Sequence, residues 1–173
     1  FAGIQTTGDA ITATTINVDS GTVTAGGAIA GAVVVDSGTV LSMGDNAVTG
    51  AVANAGTLNL TTGVVSGAIT GAGVVNFAGI QTTGDAITAT TINVDSGTVT
   101  AGGAIAGAVV VDSGTVLSMG DNAVTGAVAN AGTLNLTTGV VSGAITGAGV
   151  VNFAGTQTTG DAITATTINV DSG

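Results

Sequence analysis

The sequence predicts an all-β fold: a parallel β-helix, or β-solenoid, with about 19 residues and three short strands per coil and four coils per 76-residue repeat. Three observations carry that expectation. Phe1 to Asn76 recurs without substitution as Phe77 to Asn152, and a third copy begins at Phe153. Inside the unit, short β-branched stretches alternate with glycine-containing turns, as strands bounded by turn signals do. Strong helix formers other than Ala are scarce, since Lys, Arg and Glu are absent and Gln recurs only as Gln5, Gln81 and Gln157.

The domains are therefore read as one continuous solenoid, with unit 1 at residues 1–76, unit 2 at 77–152 and a partial unit 3 at 153–173. Thr156 is the one departure, standing where Ile4 and Ile80 stand in the earlier copies. Phe1 and Gly173 both fall in mid-pattern, so the chain reads as a piece of something longer.

Cutting after each Ile or Val that precedes Thr/Ala-Gly-Ala, and after Ile87 before the related Thr-Ala-Thr, places coil ends at Ile29, Val48, Ile69, Ile87 and Ile105, spacings of 19, 21, 18 and 18 residues. Each coil then holds three stretches. The first is Val33-Val34-Val35, Val52-Ala53-Asn54, Val74-Val75-Asn76 or Ile92-Asn93-Val94. The second is Thr39-Val40-Leu41, Thr57 to Leu60, Ile80-Gln81 or Thr98-Val99-Thr100, and the third ends at the cut. Alternation in Ile92-Asn93-Val94 and Leu58-Asn59-Leu60 turns the apolar side chains to one side of a pleat.

At a strand spacing of about 4.8 Å, a unit of four coils advances roughly 19 Å and nine coils roughly 43 Å. The absence of Pro suits fully paired strands, each of which needs its amide donors. The competing pattern is a run of antiparallel hairpins turning at Val-Asp-Ser-Gly-Thr-Val, residues 18–23 and 35–40. Nearly constant coil length favours the solenoid.

Composition removes whole classes of function. Lys, Arg, His, Cys, Trp and Tyr are absent, and ten acidic residues, all Asp, give a net charge of −10. Without cations the chain has no means of neutralising phosphates, so no nucleic-acid partner is expected, and anionic membrane surfaces are disfavoured. Without His or Cys the commonest general base and thiolate metal sites are missing. The longest uninterrupted small or apolar run, Ala25 to Val35, has 11 residues against the ~20 that a spanning helix needs, so no membrane insertion of this segment is expected.

Carboxylates are the only ionisable side chains: Asp9, Asp19, Asp36 and Asp45, their copies Asp85, Asp95, Asp112 and Asp121, then Asp161 and Asp171. Asp19 with Asp36, and Asp95 with Asp112, are expected to stack on successive coils, about 5 Å apart along the backbone. Such a pair falls short of the six to eight oxygens that Ca²⁺ takes. Solvated turn carboxylates bonding their own backbone are the simpler reading. Acid–base chemistry on a polysaccharide would need one convergent constellation, whereas these carboxylates recur in every unit. No catalytic, cofactor-binding or metal residue is assigned, no cofactor is expected, and the chain is read as non-enzymatic.

Thr22, Thr39, Thr57 and Thr98 each follow a turn Gly and suggest a water-ordering, ice-binding Thr face, broken at Ile80. Phe1, Phe77 and Phe153 are too far apart to stack and are assigned to core filling at an Asn-Phe-Ala-Gly corner. Asn54 and Asn76 are expected to start an amide ladder along the rod.

Asn54-Ala55-Gly56-Thr57-Leu58-Asn59-Leu60 and the Val-Asp-Ser-Gly-Thr-Val segments resemble the strand repeats of autotransporter passenger domains, and the near-identical long unit resembles the rickettsial surface cell antigen family. That resemblance implies a passenger exported through a β-barrel lying outside this chain, projecting from the outer membrane as an adhesin. It brings no catalytic residue with it. The function expected is a structural stalk at the cell surface, meeting a host-cell surface or neighbouring copies of itself. A self-assembling extracellular fibre or surface-layer subunit is the alternative, with an ice-binding or Ca-binding solenoid behind it.

Overall fold

The computed structural model describes residues 1–171; Ser172 and Gly173, which close the partial third unit, lie outside the described residues. It is a β-solenoid of about ten turns, roughly 18 residues each, with 22 strands and no helix among the described residues. Every strand pairing is parallel, each strand bonding to those one turn before and after it. Val18 to Val23 and Val35 to Val40 are corners between sheets, so the hairpin alternative is excluded.

Columns of inward side chains, the longest one on each of three sheets, form the core. The first sheet stacks Val23, Leu41, Leu58, Val75, Ile92, Val109, Val128 and Ile145. The second stacks Ile29, Val48 and Val65 onto Thr83 and Ala101, with Val99, Leu117, Leu134 and Val151 in the neighbouring inward column of the same sheet. The third runs Ile16, Val33, Val52, Ile69, Ile87, Ile105, Val124 and Val141. Nearly all are sealed from solvent, each Val, Leu and Ile contributing about 1.5 to 3 kcal/mol by burial. β-Branched residues suit this stack because their stiff side chains pack on a pleated surface.

The number of turns per unit differs from the expectation. Val48 pairs with Val65, and Ile69 pairs with Val52, so the supposed 21-residue coil crosses from the second sheet to the third. Along the third column successive partners lie 17 to 19 residues apart. Following the ladder from Val23 through four turns reaches Ile92, seven residues short of Val99, the repeat of Val23. From Gln5 to Gln81 the chain passes along thirteen strand positions, so a unit makes four and one-third turns, not four. Every repeated residue thus lands one sheet further round: Val23 in the first and Val99 in the second, Ile29 in the second and Ile105 in the third, Val33 in the third and Val109 in the first.

Phe77 is fully enclosed beside Leu60 and Val94 and Phe153 is buried beside Leu136, as the core-filling reading requires, whereas Phe1, at the first turn, is exposed. The corner there is irregular. Phe77 pairs with Val94 but Ala78 with Ser96, leaving Asp95 as the extra residue of a bulge.

Candidate functional surface

The longest polar feature on the rod is an amide ladder, and it differs in membership from the one expected. Asn59 Nδ2 donates to Ser42 Oγ at 3.2 Å, Asn76 Nδ2 to Asn59 Oδ1 at 2.8 Å and Asn93 Nδ2 to Asn76 Oδ1 at 2.8 Å. The second unit repeats it at Ser118, Asn135, Asn152 and Asn169, with bonds of 3.2, 2.7 and 2.7 Å. The first file lies on the first sheet and the second on the second sheet.

Asn54 takes no part in it. Its side chain faces inward after Val52, is buried, and donates across the corner to the Val74 carbonyl at 2.9 Å. The physical reason is register: Asn54 pairs with Val35, whereas Asn76 pairs with Asn59 and Asn93. The 17-residue spacing of Asn59, Asn76 and Asn93 was the signal available in the sequence.

The Thr series also separates. Thr39 lies inside the corner, its hydroxyl 2.6 Å from the Asp36 carbonyl and 3.3 Å from that of Val18, and Thr115 repeats the arrangement. Thr22 and Thr57 share an outward column, but Val40 stands between them, and Val74 follows Thr57. Thr98 lies on the next sheet beside Ile80. No uninterrupted Thr file forms along this column.

The Asp pairs stack as expected. Asp19 and Asp36 follow the paired Val18 and Val35, and Asp95 and Asp112 follow the paired Val94 and Val111. Partial desolvation at the bulge, with the Asp112 charge second, holds the Asp95 carboxyl above its ordinary range. Asp85 and Asp161 each accept the amide of the following residue, at 2.8 and 2.9 Å, while Asp121 accepts the Thr138 hydroxyl. Asp9 and Asp45 lie in turns, and Asp171 follows the last strand. Among the described residues no three carboxylates gather where an ion would be held.

Two polar features, one interior and one at a corner, escaped the sequence reading. Gln81 and Thr83 point into the core from the second sheet, both buried, and the Gln81 Oε1 has no hydrogen-bond partner. The second is the corner amide of Asn46, which ties the Ala25 and Met43 carbonyls at 3.0 and 2.9 Å. A cavity of about 370 Å³ at the last described turns is lined by Phe153, Gln157, Ile163 and Val170, continuing the interior columns. Outside, Ile80 is 67% exposed, and Val64 and its copy Val140 are each 46% exposed. The chain matches no family model, no curated protein and no solved structure.

Proposed function

We propose that the chain is a non-catalytic spacer, a segment of the stalk of a bacterial cell-surface adhesin of the autotransporter passenger type. The observation that carries this reading is the uninterrupted stack of about ten similar turns on a continuous apolar core, a form whose length grows with each turn added. The resemblance of the Asn-Ala-Gly-Thr-Leu strands to passenger repeats supports the same context. In that setting the rod stands outside the cell, held to the outer membrane by a region beyond this chain. A distal part meets a host surface or neighbouring copies.

Small-angle scattering on chains of two, three and four units tests the proposal. About 4.8 Å per turn gives roughly 48 Å for ten turns and about 21 Å per added unit, at unchanged cross-section. A length that does not increase with unit number removes the spacer. Sedimentation across a concentration series separates the two extended readings: a persistent monomer supports the stalk, and growing polymers the fibre.

A further inference from the structure

The unit is uniform as sequence but does not close on itself as structure. Thirteen strand positions distributed over three sheets leave a remainder of one, so each unit starts one sheet further round than the last. The Gln-x-Thr segment shows all three stages: Gln5 to Thr7 lies in the first sheet, Gln81 to Thr83 in the second and Gln157 to Thr159 in the third. The same shift carries the amide ladder from the first sheet to the second and moves the exposed Val64 to Val140 on the third.

From this we infer that unit number sets orientation as well as length. Adding or removing one unit moves everything beyond it about 21 Å along the axis and turns it by about one-third of a revolution. Three units, thirteen turns and roughly 62 Å restore the original facing. This deepens the stalk reading, because a distal binding region would change its facing with every unit gained or lost. It also defines how the rod displays itself. A partner recognising the surface around Val64 meets its copies on successive sides, with Thr156 in place of Ile80 near Val140, and two copies on one side lie three units apart.

The screw can be measured in this chain without altering its length. It has no cysteine, so paired nitroxide labels can be placed cleanly. Thr22 and Thr91 share one outward column of the first sheet, four turns apart, whereas Thr22 and Thr98 are repeat equivalents on adjacent sheets. Dipolar electron resonance on Thr22→Cys/Thr91→Cys should give about 19 Å. Thr22→Cys/Thr98→Cys should give about 30 Å, since labels on adjacent faces are also separated sideways by roughly a strand length of about 20 Å. The reverse order, with the Thr98 pair near 19 Å and the Thr91 pair longer, means four whole turns per unit and overturns the screw while leaving the rod and the stalk reading in place. Broad distributions for both pairs mean no regular rod, which removes both.

Discussion

Replacing Gly107 with Ala should weaken the solenoid more than the same change at Gly114 or Gly8. Gly107 has φ +145°, a region that side-chain-bearing residues rarely enter, and a Cβ there would fall on the Ala89 carbonyl oxygen of the preceding turn. The backbone strain amounts to about 1 to 3 kcal/mol. Forcing two hydrogen-bonded turns apart adds about 1 to 3 kcal/mol, as overpacking does. The expected loss is about 2 to 6 kcal/mol. Gly114 separates the two effects, since it has φ +81° but open space around its missing Cβ. Left-handed strain of about 1 to 2 kcal/mol is partly offset there by about 0.4 to 1 kcal/mol from a stiffer unfolded chain. Gly8, with neither left-handed φ nor a neighbour, should become slightly more stable as Ala. At 2 to 4 °C per kcal/mol for a chain of this size, thermal melts followed by far-ultraviolet circular dichroism should place Gly107→Ala about 10 °C below the parent and Gly114→Ala within a few degrees of it. Equal melting of the two would refute the steric part of the reasoning.

Two further outcomes follow from the polar features. Asn76→Ala removes two amide bonds and leaves the half-buried Asn59 Oδ1 and Asn93 Nδ2 unpaired, at a cost of about 1 to 2 kcal/mol in urea unfolding. Asn169→Ala loses one exposed bond and should change stability by less than about 0.5 kcal/mol, so equal costs would argue against a cooperative ladder. Asp95 titrates above its ordinary value, so the folded state binds the proton more tightly and stability falls as pH rises through that raised pKa. Asp95→Asn should therefore stabilise the protein at neutral pH and make no difference below the ordinary carboxylate range. A variant no more stable than the parent at pH 7 would contradict this.

Fold class was legible because identical units and β-branched stretches between glycines leave a stacked parallel sheet as the simplest way to bury every apolar column. Some local pairings were legible as well: Val33 with Val52, Ile80 with Thr98, and Asp19 over Asp36 follow from motif matching, whereas Val74 pairs with Thr91 and Val40 with Thr57, each one residue from the motif alignment. The phase between sheets was not. Val48 and Ile69 carry the same Ile/Val-Thr-Gly-Ala signal but serve different sheets, because each corner absorbs its own number of residues and the motif does not record which corner follows it. That one-third slip misplaced Asn54 beside Asn76 and concealed the 17-residue Asn file. Thr39 was misread for a related reason: following a turn glycine is no guide to facing outward, and here the hydroxyl closes a corner from within.

Parallel pairing between turns also has a mechanical meaning. Because the ladder hydrogen bonds point along the axis, tension applied between the ends loads them one turn after another rather than shearing many at once. A turn that lets go exchanges about 4.8 Å of rod for roughly 60 Å of extended chain, from about 18 residues at about 3.4 Å each. Under pull the chain would lengthen in many small steps, as a shock absorber whose travel is set by its number of turns.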